Sequence, residues 1–414
     1  MKLSSSDVLD AYRADLGNAN RSQLSEWDAT WLAFGTMLER AVRLPAAERL
    51  AYLRTGAAVL AEGLAPTPVT REIAGLATAL ASEAGALAAL CSAVMAVAGD
   101  AENAGAFALA TIMLDYAKII AGGAEVRLQG RLMWQQARIF RKIGELDLAV
   151  SLFDDVGALG GTHGDRELVA LAHLGKGIVA RIRGNYPLAR TEFLATLEAA
   201  PESEDTEQVR LHAHHGLLVV SAIAKDFDAA LRHGSLALAA TRSDAQRVEL
   251  LANLASVCYD VGQFRSALHG HLHVLGESRS HRVRLGAFGG AAVAAARLGN
   301  RAMVHRLVSA AASLTLPGGL EHEVADMHRE FAEAYAYLGE TELSALHHRD
   351  ALARAQRGGY FEIVHRLESF VPEPKAAAPR PVALTDDALT VARQLAAGDS
   401  EELLLAAVSS APQD

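Results

Sequence analysis

Cysteine is nearly absent from this 414-residue chain, which contains only Cys91 and Cys258. Two cysteines so far apart in sequence predict neither a disulfide framework nor a cysteine-based zinc site. Aromatic residues make up 5% of the chain, although hydrophobic residues make up 51%. The core must therefore be built mostly from alanine, leucine and valine, and abundant alanine favours helix.

The chain also lacks an excess of positive charge. It has 39 Lys and Arg residues against 49 Asp and Glu residues, a formal net charge of -10 at pH 7. Proteins that bind nucleic acid usually present a broad basic surface. We therefore expect no direct nucleic-acid partner, although a local basic patch is compatible with a net acidic charge.

Long apolar runs are missing as well. No stretch of about 18 apolar residues is free of charge, and the first seven residues lack the apolar core of a signal peptide. These absences predict no membrane partner and a cytoplasmic location. The Gly-x-Ser-x-Gly sequence of many hydrolases is also absent, and the acidic residues are scattered. We expect a non-enzymatic protein without a cofactor.

Histidine is plentiful, with 16 residues, but its spacing does not favour a metal site. His269 and His273 share a helical face, yet a pair lacks the third ligand of a catalytic zinc site. His322 and His328 are six residues apart, whereas the zinc-protease motif spaces its two histidines by four. Histidines that are hydrogen-bonded in the core or exposed to solvent are the better interpretation.

One glycine-rich stretch, Gly286-Ala-Phe-Gly-Gly290, suggests a phosphate-binding loop at first sight. Such a loop needs a preceding strand and a following helix. Both flanks of this stretch have helical character, so the glycines are better explained by tight packing between helices.

What the chain does contain is a recurring turn. Its positions are residues 144, 184, 225, 262, 299 and 339, so the steps are 40, 41, 37, 37 and 40 residues. At each of the first four positions a helix ends at Gly or Lys, and an Ala follows five residues later. A nearly constant step of this size predicts stacked helical hairpins that bury their apolar faces on their neighbours.

The repeat and the composition divide the chain into four predicted segments. Residues 1–100 are helical without the regular step, as expected for a cap or degenerate hairpins. Residues 101–370 form the predicted solenoid. Residues 371–384 form a Pro/Ala-rich linker, with four prolines between 371 and 381. Residues 385–414 carry short amphipathic helices that cannot bury their apolar faces alone.

The repeats resemble the tetratricopeptide repeat (TPR) family over residues 124–357. The clearest unit, Leu251 to Leu268, is similar to the family pattern of Asn-Leu-small, aromatic, Gly, aromatic and Ala. The mean step here, (339 − 144)/5 = 39, exceeds the family's step of about 34 residues, so the repeats are irregular and lengthened. The resemblance implies an all-α, right-handed superhelical solenoid of antiparallel helix hairpins. We also expect small residues at helix crossings, namely Ala137, Gly177, Ala255 and Ala267.

In such a solenoid the first helix of each hairpin lines a concave groove that binds protein or peptide segments. The helix before Gly144 carries a continuous face with Lys142 beside it. Arginine forks suit carboxylate or phosphate groups, so an acidic segment is one expected partner. A solvated helix face is the alternative interpretation. The face comprises Arg127, Arg131, Trp134, Arg138 and Arg141.

The resemblance places further groove residues on later first helices. Asn253 stands where many family members use Asn to hold a peptide backbone, because an amide both donates and accepts hydrogen bonds. The alternative is a packing or surface Asn. The resemblance implies a groove that is basic at its early end and more neutral later. The other groove positions are Arg181, His212, His215, Ser256 and Tyr259.

Two functions remain open at this stage. One is an adaptor or sensor that binds a protein or peptide segment in the groove, with the tail after Pro381 as an autoinhibitory occupant. The other is a regulatory subunit of an enzyme or transcription complex that uses its outer surface or N-terminal helices. There Trp27, Trp31 and Phe34 form an apolar stripe, for which a buried core is the better interpretation. An oligomer is compatible with either function.

Overall fold

The structure is a computed structural model that describes residues 26–63, 67–80, 85–122, 125–203, 206–314, 320–369, 384–396, 400 and 402–404, without the side chains of residues 26–28. No strand occurs within these ranges, and none of their helices is long and apolar enough to cross a membrane. The chain folds as two compact units, residues 1–209 and 210–414.

The helices of the first unit are α1 (Glu26–Arg43), α2 (Ala46–Gly63), α3 (Pro68–Ala79), α4 (Ala86–Asn103), α5 (Phe107–Ile120), α6 (Val126–Lys142), α7 (Leu146–His163), α8 (Arg166–Ile182) and α9 (Tyr186–Ala199). Helix α10 (Glu207–Ile223) begins at the division between the units. The second unit continues with α11 (Phe227–Ala240), α12 (Asp244–Asp260), α13 (Phe264–Glu277), α14 (His281–Arg297), α15 (Arg301–Ala312), α16 (Glu321–Tyr337), α17 (Thr341–Gly358), α18 (Phe361–Ser369) and α19 (Asp386–Leu395).

The recurring turn has one backbone conformation at all six predicted positions. The five glycines at residues 144, 184, 262, 299 and 339 have φ between 72° and 88°, and Lys225 has φ 59°. In each turn the next residue's N–H donates to a carbonyl five residues earlier, as from Glu145 to Phe140 at 2.9 Å. This is the Schellman ending, which satisfies carbonyls at the end of the first helix.

The same turn also occurs at Gly105, which has φ 87°, and at Gly164 and Gly359. The N–H of Ala106 donates to the carbonyl of Ala101 at 2.8 Å. Gly105 precedes Gly144 by 39 residues, the mean step of the repeat. The regular hairpins therefore start at α4, in the part of the chain for which the sequence predicted irregular helices.

In the first unit the hairpins α4/α5, α6/α7 and α8/α9 stack in order, and α6 packs between α4 and α8. The N-terminal stripe contributes to the core of this unit, because Trp31 and Phe34 are buried. The Trp31 indole donates to Asp100 Oδ2 at 3.0 Å. The buried-core interpretation of this stripe is thus confirmed for Trp31 and Phe34, and its use as a partner surface is wrong for these two residues.

The predicted close approaches at small residues are present. A Cβ on Gly177 would lie 2.7 Å from the Phe193 ring, and a Cβ on Gly175 would overlap the ring of Phe153. Both rings are fully buried. The helices can cross at this distance only because these positions have no side chain. The other predicted small residues, Ala137, Ala255 and Ala267, are also fully buried.

In the second unit, α14 packs against both α12 and α16, and the second helices α13, α15 and α17 pair with them. The order confirms an all-α solenoid of helix hairpins within this unit. The C-terminal helix α19 packs on α11 and α13, which are both second helices.

Helix α19 is held by polar and apolar contacts. Both the N–H and the hydroxyl of Thr385 donate to Asp228 Oδ1 at 2.9 Å. Ala388, Ala392 and Leu395 are buried in the core of the unit. The tail therefore docks on second helices, and the prediction that it occupies the first-helix groove is wrong for α19.

Candidate binding cavity on the first helices

A cavity of about 530 Å³ opens between the first helices α12, α14 and α16 of the second unit. Its lining combines many polar side chains with a small-residue surface contributed by α14. Residues 286, 287 and 290 of α14 have little or no side chain, so an open space remains between α14 and the side chains of α12 and α16. The principal residues of the lining are Glu249, Asn253, Ser256, Tyr259, Asp260, His271, Arg282, Gly286, Gly290, Asp326, Arg329, Glu330 and Glu333.

Three of the groove residues predicted on α12 line this cavity together, namely Asn253, Ser256 and Tyr259. Asn253 Nδ2 lies 2.8 Å from His215 Nε2 on α10, so a fourth predicted residue is held against the lining. The Ser256 hydroxyl donates to the carbonyl of Ala252 at 3.1 Å. His212 is exposed on α10 and is not part of the lining.

The glycine-rich stretch of α14 provides room for two polar side chains. A Cβ on Gly290 would overlap the imidazole of His271, and a Cβ on Gly289 would overlap the carboxyl group of Glu330. Gly286 has no neighbouring atom within 4 Å of its Cβ position and faces the cavity. The prediction of tight helix packing at this stretch is confirmed. The sequence did not predict the cavity that lies beside this glycine-rich stretch.

Carboxyl groups from α16 surround one arginine at the cavity wall. Arg329 donates to Asp326 at 2.6 Å, to Glu330 at 3.2 Å and to Glu333 at 3.4 Å. Glu249 and Asp260 of α12 add two more carboxyl groups to the lining. The later first helices are therefore acidic at this site, and the expectation of a more neutral surface is wrong here.

Several ionisable side chains in the cavity have shifted pKa values, and burial raises those of Tyr259 and Asp260. Enclosure away from water raises the pKa of Glu330 to about 8, against the opposing effect of Arg329. Burial lowers the pKa of His271 to about 4, so its ring is neutral at pH 7. His271 is 6% exposed, and its Nδ1 has no hydrogen-bond partner within the described ranges.

The basic face predicted on α6 lies between its two first-helix neighbours. Arg127 Nε donates to Asp165 Oδ2 at 2.9 Å, and Arg131 Nε donates to Glu167 Oε1 at 3.0 Å. The Trp134 indole donates to the Leu171 carbonyl at 3.0 Å. These partners all belong to α8 or to its N-cap. These donors have partners within the protein, while the side chains of Arg127 and Arg131 remain 44% and 37% exposed.

The other half of the face turns towards α4. Arg138 and Lys142 both contact Glu102 Oε1, at 3.0 Å and 2.7 Å, and Glu102 is buried. Burial lowers the pKa of Arg141, and the nearby charges of Arg138 and Arg181 lower it further. The Nε of Arg141 has no hydrogen-bond partner in the described part of the chain. One buried carboxylate therefore faces three cationic side chains, Arg138, Arg141 and Lys142, and Arg181 lies near Arg141.

Histidines in the described residues are engaged in packing and do not converge on a metal site. His269 Nε2 lies 2.6 Å from the Ser400 hydroxyl, and His328 Nδ1 lies 2.9 Å from His347 Nδ1. Within the same residues no group of three or more His, Cys, Asp and Glu side chains is arranged to hold a metal ion.

Comparison with known proteins gives a weak likeness. No protein-family model matches the chain, and no curated protein matches it. A solved structure, the TPR domain of P58(IPK), is 14% identical over 81% of this chain and 99% of that chain, with a TM-score of 0.24. The repeat of helical hairpins in this chain is established by the hairpins and their common turn, independently of this comparison.

Proposed function

We propose that this chain is a non-enzymatic, TPR-like repeat protein that binds a segment of a partner protein in the cavity between α12, α14 and α16. The observation that carries the proposal is the convergence of Asn253, Ser256 and Tyr259 on one concave space. These residues lie on consecutive turns of one helix face. A volume of about 530 Å³ suits a few residues of an extended chain, since small-ligand pockets measure about 300–1,000 Å³.

The cavity walls are held by close side-chain contacts, which favours binding of a defined segment. The α14 wall is fixed by the close contacts of Gly289 and Gly290 with side chains of α16 and α13. Asn253 is fixed by His215 on α10. A preformed site loses less conformational entropy on binding than a mobile one, so the same contacts give a higher affinity.

A single substitution on the rim tests the proposal. Ser256 is exposed and lines the cavity, so Ser256→Trp fills the space without disturbing the core. Leu236→Trp is the matched control, because Leu236 is 49% exposed on α11 and is not part of the lining. The probe is a fluorescent pool of random-sequence peptides, with binding followed by anisotropy. Ser256→Trp should abolish binding and Leu236→Trp should preserve it; equal binding by both variants would refute the proposal.

A second contact of the same kind is supported in the first unit by itself. Arg138, Arg141 and Lys142 share one buried carboxylate, Glu102, and Arg181 adds a further positive charge near Arg141, so positive charge is in excess there. An acidic residue of a bound protein segment would restore the balance. Replacing Arg141 by Met should weaken binding of a glutamate-rich peptide pool, whereas Arg190→Met on α9 should not.

A further inference from the structure

We propose that the cavity between α12, α14 and α16 binds a cationic group, the ammonium or guanidinium of a Lys or Arg side chain in the bound segment. The inference deepens the proposed function and rests on it. Its chemical basis is a lining that presents hydrogen-bond acceptors and negative charge in excess, in an enclosed space that a long side chain can enter.

The charge excess follows from how the two cations of the lining are already engaged. Arg329 is surrounded by the three carboxyl groups of Asp326, Glu330 and Glu333 on its own helix. Arg282 pairs with Glu323 at 2.6 Å, and Glu323 is outside the lining. Two carboxyl groups on the opposite wall, Glu249 and Asp260, face the cavity without either arginine as a partner, although Glu249 lies 4.0 Å from His215 Nε2 and Asp260 lies near Lys225.

An independent observation comes from the buried imidazole of His271. The side chain lines the cavity, is 6% exposed, and has an Nδ1 without a hydrogen-bond partner among the described residues. A neutral imidazole has one acceptor nitrogen, and carboxylates are acceptors only. A ligand that pairs with the carboxylates of the lining must therefore carry several donors, as ammonium and guanidinium groups do.

The aromatic side of the cavity is also compatible with a cation. The Tyr259 ring lines the space and packs against Phe264 at a centroid distance of 5.4 Å. Next to it, the Arg297 guanidinium already lies 4.6 Å from the Phe264 ring centroid and 4.8 Å from that of Tyr337. The face of an aromatic ring attracts cations through its quadrupole. The chain thus uses cation–aromatic packing at the edge of this cavity.

Two peptide pools of equal length test the inference. In one pool the central residue is Lys or Arg, in the other it is Glu or Asp, and all other positions are random and uncharged. The first pool should bind at least about tenfold more tightly, because each hydrogen bond between charged groups that is gained or lost changes affinity by about that factor. Equal affinities, or a preference for the acidic pool, would overturn the inference.

Replacing single carboxylates shows which of them cause the preference for the Lys/Arg pool. Glu333→Gln or Glu249→Gln should reduce the advantage of the Lys/Arg pool about tenfold. Glu342→Gln is the matched control, because Glu342 is exposed on α17 and does not line the cavity. If Glu342→Gln lowers the advantage as much as Glu333→Gln, the preference reflects the net charge of the protein and the inference fails.

The outcome separates this inference from the proposed function. If Ser256→Trp abolishes binding of both pools and neither pool is preferred, the cavity binds a segment but not its cation. If Ser256→Trp leaves the binding of both pools intact, the cavity is not the binding site and both proposals fail.

Discussion

The imidazole of His271 lies against the backbone of Gly290 so closely that any side chain at that position would overlap it. His271 belongs to α13 and Gly290 to α14, so this contact fixes how near the two helices approach. On the same helix Gly289 leaves room for the carboxyl group of Glu330. Two adjacent glycines thus determine the positions of two polar groups that surround the proposed binding site.

Gly290→Ala should lower the free energy of unfolding by about 1–3 kcal/mol, because the added methyl group forces the buried His271 ring to move. Gly286→Ala on the same helix is the control. Its Cβ would meet no atom within 4 Å, and alanine favours helix over glycine by about 0.5–1 kcal/mol. Urea unfolding of both variants provides the measurement. A loss of stability in both, or in neither, would contradict the packing described for α14.

Lys225→Gly should stabilise the second unit by about 1 kcal/mol. Lys225 has φ 59°, a left-handed conformation that costs an L-residue about 1–2 kcal/mol and glycine very little. The expected gain is reduced by the greater freedom of glycine in the unfolded chain. Gly262→Ala places a side chain in the equivalent conformation and should have the opposite effect. Thermal unfolding followed by circular dichroism measures both; no stabilisation by glycine would argue against the shared turn.

The sequence predicted the turns well because their physical requirement is local. A left-handed residue favours glycine, and the spacing alone placed five glycines and Lys225 at helix ends. Gly105 also ends a helix in the left-handed conformation, and it lies 39 residues before Gly144, which is the mean step of the repeat. The sequence around Gly105 matches the repeat less well, so this turn was not predicted.

The candidate site was predictable only in part because its partners are distant in sequence. Helical spacing placed Asn253, Ser256 and Tyr259 on one face, and these residues do line one cavity. The carboxylates opposite them come from α16, more than sixty residues later, and no local pattern pairs them with α12. The same limitation applies to Arg131, whose partner Glu167 lies 36 residues away.

Glu102→Gln should destabilise the first unit by about 1–3 kcal/mol. The substitution removes the buried carboxylate that Arg138 and Lys142 share, and it leaves these cations beside Arg141. The estimate is below that for a fully buried ion pair because both cations are about one-third exposed. Glu145→Gln, on an exposed residue, should change little. Urea unfolding at low and high salt measures the difference; a neutral Glu102→Gln would contradict the electrostatic role of Glu102.

Stability should fall as the pH is lowered from about 6.5 to about 4. Burial lowers the pKa of His214, His271 and His328 to about 4, so the unfolded chain binds more protons in this window. Each of these histidines should remove about 1.4 kcal/mol of unfolding free energy per pH unit. His271→Gln should reduce this slope. A free energy of unfolding that is constant between these pH values would contradict the buried, neutral state of the rings.

Glu330 should produce the opposite trend. Its pKa is raised from 4.5 to about 8, so the folded chain retains a proton that the unfolded chain loses. Stability from this group is present below about pH 4.5 and is lost as the pH rises to about 8. Glu330→Gln should therefore raise the melting temperature at pH 8 by about 2–4 °C for each kcal/mol recovered. It should have no such effect at pH 4; equal effects at both pH values would contradict the shift.

Binding of a lysine-containing peptide pool should strengthen between about pH 7 and about pH 9. Glu330 ionises in this range and adds a negative charge to the cavity. The charged groups beside Glu330 are Asp326, Arg329 and Glu333 on its own helix. On α14 the Glu330 carboxyl group meets the backbone of Gly289, and His271 of α13 lines the same cavity in its neutral form. Neither Gly289 nor His271 changes charge in this pH range. Glu330→Gln should remove the pH dependence and keep binding. If peptide binding by Glu330→Gln still depends on pH, a group other than Glu330 causes the pH dependence.

Deleting residues 384–414 should lower stability without changing peptide affinity. The deletion exposes the apolar surface of α11 and α13 that Ala388, Ala392 and Leu395 cover. It leaves the cavity untouched, because no residue of α19 lines it. Thr385→Val is a milder variant, since it removes the hydroxyl that donates to Asp228 and caps α19 but keeps the backbone N–H donor and the helix. Tighter peptide binding after the deletion would instead support autoinhibition by the C-terminal tail.

Photo-crosslinking from the cavity rim shows directly whether a partner segment binds between α12, α14 and α16. A benzoylphenylalanine at Ser256 places the reactive group at the cavity, whereas one at Leu236 places it on α11, away from the lining. With the fluorescent Lys/Arg peptide pool, we expect efficient labelling from residue 256 that an excess of unlabelled pool abolishes, and only background labelling from residue 236. Equal labelling from both positions, or labelling only from residue 236, would contradict a partner segment bound between α12, α14 and α16.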